Sequence, residues 1–503
     1  MTSKIASLFL IALLLITSCT STSGSDTSSS ETSKKDITIS GNIHNLDVAK
    51  FGDKVSFGYH DYMVGDYQEL KATIDTTTGD FKTSISSIAP VQIYFYHNNS
   101  LEIILSPGDS IHFKMDGSLT DKTAFINTLE ISGDAVQTTK NLIAFHQDFK
   151  PDYARNELEI KKGDPESYKK YVDSLYIERN KKIQDFAANN ELSSMFKNWL
   201  AVEEKYAKNV ALLQYPPLYN MFTRQFLDVT PDYFNDAMKV PNFTKEDLAN
   251  NTLARNYIQY YYYQLRTELQ SKLSQEELKD PKKRDSVFYN TINTIAKDNT
   301  LMAQLITLTS LQGELNNNTI EGYERNLTQI ENLFSGSDFA GPLNAKYTKV
   351  KNLLENPVLS EGTELLTFQS ESPEGYLKEI IANANGKVIY IDNWATWCGP
   401  CKSEFKNSTP QLKEKFQKDV EFIYLCHQSE EKLWKPSISE FKVKGKHYFL
   451  SQEESNPIFK EINLQGFPTY TIINKKGDIV KSGFEYRPSN TITSEILTEL
   501  IAE

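Results

Sequence analysis

Cys398 and Cys401 flank Gly399-Pro400 in the run Trp394-Ala395-Thr396-Trp397-Cys398-Gly399-Pro400-Cys401, and cysteines at this spacing can bond only if the backbone between them curls. A helix start supplies that curl and aims unpaired N–H groups at the first sulfur. Cys398 is therefore expected to be the acidic, attacking thiol, with Cys401, one turn in, more buried and slower to ionise. Such a pair performs dithiol–disulfide exchange: Cys398 attacks, Cys401 resolves, and a Cys398–Cys401 disulfide remains. The other chemistry open to a bare Cys-x-x-Cys is half of a zinc site, which then needs four sulfur or nitrogen ligands. The chain has four cysteines, Cys19, Cys398, Cys401 and Cys426, and Cys426-His427 is the candidate second half. Cys426 ends the apolar run Val420 to Leu425 and reads more simply as a small buried hydrophobe. His44, His60, His97, His112, His146 and His447 are scattered without ligand spacing, so no metal is expected.

The apolar run Val388-Ile389-Tyr390-Ile391 reads as a buried strand, and Lys402 to Phe416 carries apolar residues at helical spacing. The cysteines thus sit at a strand-to-helix junction, the redox context rather than the zinc one. Here the chain resembles the thioredoxin superfamily, specifically the TlpA/ResA-like thiol-disulfide oxidoreductases, from about Glu361 to Glu503. The resemblance rests on the WATWCGPC run, on Glu404 three positions after the second cysteine, on Gly466-Phe467-Pro468-Thr469, and on a hairpin Tyr470 to Val480 turned at Lys476-Gly477-Asp478. It implies an α/β thioredoxin-like fold, no cofactor, protein disulfide clients, and a membrane electron donor of the thioredoxin-reducing type. It also implies roles. Asp392 stands where thioredoxin carries a buried acid, and Glu404 matches the acid that TlpA/ResA-like proteins carry, so both are candidates to take the proton of Cys401. Glu404 also reads as a plain helix residue in a favourable first-turn position. Asp392 lies in an apolar strand, where a carboxylate needs a reason to be. Trp397 is expected to shield the sulfurs, and Pro468, cis as in the family, to place the Phe467 backbone beside Cys398 for an incoming peptide. The Gly-Pro dipeptide is that of thioredoxin, at about −270 mV against about −120 mV for the oxidant DsbA, which favours a reductase. Cytochrome c maturation is the family's best-known task, though no residue here points to haem. A thiol peroxidase would need Pro and Thr or Ser where Ile391 and Ala395 stand.

Met1 to Cys19 combines Lys4, an apolar run from Ile5 to Ile16 and small residues before a cysteine. The run is too short to cross a bilayer, which takes roughly 20 apolar residues, and reads as a signal peptide over 1–18. Leu15-Ile16-Thr17-Ser18-Cys19 resembles the bacterial lipobox, which implies lipidation of Cys19 and a place in the cell envelope, facing the periplasm. A Ser/Thr-rich tether over 19–36 follows. A net charge of −12 argues against a nucleic-acid partner.

Between tether and redox segment the period of the apolar residues changes once. Ile37 and Ile39, Val55 and Phe57, Val91 to Phe95, and Ile111 to Met115 alternate, giving an antiparallel β-sandwich or barrel over 37–118. It resembles the N-terminal β domain that precedes thioredoxin-like domains in many envelope lipoproteins. Residues 119–360 read as all-α, with Asp164-Pro165 a cap and first-turn pair and a further helix from Ser194. The cluster Tyr257, Tyr260, Tyr261, Tyr262 and Tyr263 fits a core-packing helix, with a stacking surface for sugar or peptide the alternative. The chain therefore divides into β, α and α/β parts, the first two expected to position substrate and take no chemical part. A glycan- or peptide-binding lipoprotein with an ancillary redox domain is the rival class.

Overall fold

The computed structural model describes residues 35–503 apart from 62–65, 88, 240–241 and 251, so the segment read as a signal peptide, the tether up to residue 34 and Cys19 lie outside the described residues. The N-terminal part has eight strands, β1 and β7 with clear apolar alternation: β1 (Lys35–His44), β2 (Lys54–Asp61), β3 (Asp66–Thr73), β4 (Asp80–Ser87), β5 (Val91–Tyr96), β6 (Ser100–Leu105), β7 (Ser110–Asp116) and β8 (Glu130–Gly133). They form two four-stranded sheets, ordered β4-β1-β7-β8 and β3-β2-β5-β6. Ile39 and Phe113 of the first sheet share one core with Phe57 and Ile93 of the second, which makes the pair a sandwich. One neighbour pair departs from the expected antiparallel arrangement, since β1 runs parallel to β7. Between them the chain builds β2 and β3 in the other sheet, β4 on the far side of β1, and then β5 and β6 in the other sheet again, and that long crossover returns it in the same direction. β8, inside the stretch read as helical, pairs antiparallel with β7; four residues are too few to display a period.

Helices occupy the chain from Val136 to Glu355. Asp164 caps the helix Pro165–Asn189 by accepting from the Ser167 N–H, with Pro165 in the first turn where no intrahelical donor is needed. Tyr257 and Tyr261 are buried in the core of this region, whereas Tyr263 is 48 % exposed. The sandwich docks on the helices through Ile104, which faces out of β6 into Phe145, Phe186, Phe196 and Trp199. Gln92 on β5 adds a polar tie, its Oε1 accepting from Thr252 Oγ1 at 2.8 Å.

The C-terminal part is a six-stranded sheet of β9 (Thr363–Leu366), β10 (Val388–Trp394), β11 (Val420–Cys426), β12 (Gly445–Phe449), β13 (Thr469–Ile473) and β14 (Ile479–Gly483), in the order β14-β13-β10-β11-β12-β9. β10 is parallel to β11 and antiparallel to β13, so it sits centrally and is buried along its whole length. Tyr390 and Trp394 pack on one face with Phe405 and Leu497, and Ile389 and Ile391 on the other with Leu377 and Ile458. Helices thus cover both faces, the reason β10 reads as a continuous apolar run. The helix expected over Lys402 to Phe416 is two, Gly399–Asn407 and Thr409–Phe416. Pro410 lacks the N–H that a continuous helix would use and instead sits in the first turn of the second. Among the described residues no helix is long and apolar enough to cross a membrane.

Candidate active site

Cys398 is the N-cap of the helix Gly399–Asn407, with extended backbone and Pro400 in the first turn. The Cys401 N–H donates to Cys398 Sγ at 3.2 Å, so a free helix-terminal donor points at the first sulfur. That geometry lowers the cost of a thiolate at Cys398 once the pair is reduced. In the structure the two sulfurs are bonded, with the Cα atoms 5.3 Å apart. Cys401 is wholly buried, and Cys398 is only 3 % exposed.

Asp392 lies under this helix. Side chains alternate along a strand, so Asp392 shares the face of Tyr390 and Trp394, and Trp394 meets Phe405 of the cysteine helix with centroids 5.1 Å apart. Asp392 is fully buried and neither carboxyl oxygen has a hydrogen-bond partner. Burial, and secondarily the charge of Glu404, holds its carboxyl well above the usual carboxylate range. Glu404 is half-buried, on the same helix as Cys401, and accepts from the Ser489 N–H at 3.0 Å and Ser489 Oγ at 2.7 Å. It therefore also fastens the turn ahead of the last helix, Thr491–Ala502.

The Phe467–Pro468 peptide is cis, and Phe467 meets Trp397 edge to face with centroids 5.7 Å apart. Trp397 is 54 % exposed, and its Nε1–H donates to the Gln428 carbonyl at 2.7 Å, which holds the indole beside Phe467. Sequence reasoning missed what holds this loop from behind. Asn393 Nδ2 donates to the Thr469 carbonyl at 3.0 Å, and Asn393 Oδ1 faces His427 Nε2 at 3.1 Å. Since Oδ1 only accepts, His427 carries a proton on Nε2, and its Nδ1 lies 2.9 Å from Ser455 Oγ, whose hydroxyl also reaches the Ser451 carbonyl at 2.7 Å. The ring stacks on Phe467 with centroids 5.7 Å apart, and burial pushes its pKa down to about 3. Both ring nitrogens are thus used in hydrogen bonds, not offered to a metal beside Cys426. The signal for this network was a second polar residue, Asn393, next to Asp392 in an otherwise apolar strand. Cys426 is a free, fully buried thiol, its pKa raised by burial to about 12.

A Redoxin family profile matches residues 361–500. Among curated proteins the chain is 27 % identical over 124 residues to the thiol-disulfide oxidoreductase ResA of Bacillus subtilis, a match covering 24 % of this chain and 66 % of that protein. The thioredoxin-like protein YneN of the same organism is 26 % identical over 121 residues, covering 24 % of this chain and 69 % of that protein. The chain thus spans about two thirds of the length of these relatives. A solution structure of a Bacteroides vulgatus protein described as a thiol-disulfide oxidoreductase aligns at 31 % identity and a TM-score of 0.22, covering 24 % of this chain and 78 % of that one.

Proposed function

We propose that this chain, whose C-terminal region is a redoxin/thioredoxin-like domain with a Cys-x-x-Cys pair and related to the ResA, TlpA and DsbE thiol-disulfide oxidoreductases, exchanges disulfides with protein clients. The observation that carries this reading is the bonded Cys398–Cys401 pair at a helix N-terminus, above a buried carboxyl that has no structural partner. Starting from the reduced pair, Cys398 thiolate attacks one sulfur of a client disulfide; the client S–S bond breaks, its other sulfur leaves as a thiolate, and a mixed disulfide forms. Cys401 then loses its proton and attacks Cys398 Sγ, releasing the second client thiolate. The client gains two electrons and two protons, and the Cys398–Cys401 bond stores the oxidised equivalent. Asp392 is the candidate acceptor of the Cys401 proton, because a carboxyl raised toward the thiol range makes that transfer more even. Glu404, tied to Ser489, acts on Asp392 through its charge. The Phe467 backbone, held by Asn393 and His427, offers main-chain groups to the client.

In this reading the enzyme works as a reductase in the bacterial cell envelope, lipid-anchored through Cys19, its domains facing the periplasm, and recharged by a membrane electron donor of the thioredoxin-reducing type. The leader and lipobox pattern support the location and the Gly-Pro dipeptide supports the direction. Envelope redox homeostasis or cytochrome c maturation is the task such an enzyme would serve. The test is insulin reduction by the full chain, with equilibration against glutathione to read its potential. Activity lost in Cys398→Ser and a potential near the thioredoxin value support the proposal; activity retained without Cys398 refutes it.

A further inference from the structure

The helical region does not stand apart from the redox domain. Lys402, adjacent to Cys401, donates through Nζ to the Asn316 carbonyl at 3.2 Å, and Asn318 Nδ2 donates to Glu440 at 2.9 Å. An ion pair of 2.8 Å joins Lys432 to Glu321. These ties leave a cavity of about 1050 Å³ between the two parts. Its redox wall begins at Thr396 and Trp397, immediately before the attacking cysteine, and its far wall is made by the helices Thr252–Ser271, Pro281–Asp298 and Thr300–Leu315.

The cavity is elongated and chemically mixed. On the first of these helices it follows the stripe Tyr262, Arg266, Leu269 and Gln270, a rise of about 12 Å at 1.5 Å per residue. An extended chain advances about 3.3 Å per residue, so about four residues fit along it. Phe288 stands edge to face with Tyr262, opposite Trp397, giving aromatic surface on both walls. Two charged lining groups have no hydrogen bond or ion pair among the described residues: Arg266 on the helical wall and Glu431 on the redox wall. Gly313 adds an independent sign that room is kept here. It lies within the helix Thr300–Leu315 and lines the cavity, yet an added Cβ would meet nothing within 4 Å and no left-handed backbone requires glycine. The helix forgoes about 1 kcal/mol of propensity relative to alanine at that position, and the wall stays recessed.

We infer that this cavity is the client site of the enzyme: it takes an extended polypeptide segment flanking the client's reactive cysteine, with an aromatic side chain between Trp397 and Tyr262 and a carboxylate reaching Arg266. The inference rests on the dithiol-exchange reading above. A cavity of this size, just above the roughly 300–1,000 Å³ range of small-ligand sites, selects among clients by side chain, where main-chain pairing at Phe467 alone does not.

The test uses the reduced full chain and short peptides, each joined through one cysteine to a nitrothiobenzoate whose release is followed by absorbance. One peptide carries Glu and Tyr beside the cysteine, one Lys and Tyr, one only Ser, each made in both directions; hydroxyethyl disulfide, too small to reach the helices and followed by titration of the mercaptoethanol it releases, is the control. The Glu-Tyr peptide is expected to react about fivefold faster than the Lys-Tyr peptide, the upper end for one exposed charge pair, and Arg266→Glu to reverse the order. Gly313→Trp, which starts from a Cβ position with nothing within 4 Å and projects an indole into the cavity, should bring all peptides to the Ser-peptide rate and leave the control unchanged. An unreactive control refutes dithiol exchange itself. A reactive control with the same peptide ranking in wild type and both variants overturns the client site, as does a Gly313→Trp effect confined to the small disulfide.

Discussion

Replacing Asp392 by Asn should make the oxidised protein more stable and the reduced one a poorer catalyst, both more so as pH rises. The two side chains are near isosteres, and protonated Asp392 already lacks partners for both oxygens, so the cost of unsatisfied polar atoms largely cancels. What differs is ionisation. The native carboxyl is held well above the usual range by burial, then by Glu404, while in the unfolded chain it titrates at about 3.9. Below that value both states are protonated and the residue contributes no pH dependence. Above it the unfolded carboxyl ionises and the native one does not, so the native state binds more protons and wild-type stability falls by about 1.4 kcal/mol per pH unit. The fall continues until the native carboxyl ionises in turn. Asn does not titrate, so the variant should gain about 2.7 kcal/mol over wild type two units above the unfolded value. Urea unfolding of the oxidised proteins from pH 4 to 8, followed by the fluorescence of the four tryptophans, three of them in the C-terminal part, reads this difference while the bonded cysteines stay silent. For catalysis, a mixed disulfide is preformed at Cys398 and the release of its partner thiol is timed against pH. Wild type should accelerate as Asp392 ionises, and Asp392→Asn should lose that limb, so that the variant falls further behind as pH rises, by about 100-fold once the wild-type carboxyl is ionised. Parallel stability curves would show that Asp392 is not held protonated; identical release profiles would show that it does not take the proton of Cys401.

Cys401→Ser should accumulate reductant-sensitive client adducts on non-reducing gels, and Cys398→Ser none, because a serine hydroxyl is too weakly acidic to displace a thiolate; the opposite pattern would reverse the two roles. Glu404→Ala removes both bonds to Ser489 and should cost about 1–3 kcal/mol in thermal or urea unfolding, with a smaller effect on thiol release than Asp392→Asn; a larger effect would make Glu404 the proton acceptor. His427 and His447 are each pushed down by burial to about 3. Between that value and the unfolded pKa of about 6.5 the unfolded state binds the extra protons, so each should remove about 1.4 kcal/mol of stability per unit as pH falls through that window. His427→Gln should flatten part of that acid limb, and an unchanged limb would mean that His427 is charged in the fold.

The amino-acid sequence by itself determined the chemistry and its immediate setting. Cys398, Gly399, Pro400 and Cys401 dictate a helix start because the proline supplies a pre-set φ without needing a donor, and the spacing brings the sulfurs to one turn. The continuous apolar run of β10 likewise required a strand covered on both faces, against which Asp392 stands out in the sequence alone. These are local effects, set by a residue and its few neighbours along the chain. Tertiary structure decided everything that depends on distant segments meeting. The parallel pairing of β1 with β7 follows from a crossover through the other sheet, which alternation within a strand does not encode. Asn393, His427 and Ser455 come from three separate elements, and only their assembly behind Phe467 fixes the histidine's proton on Nε2. Tyr262 and Tyr263 share a tyrosine-rich helix that reads as core; the placing of that helix across from Trp397 turns part of it into the wall of a cavity. A hydrophobic face records that a residue will be covered, since burial is non-directional, but not which distant surface will cover it.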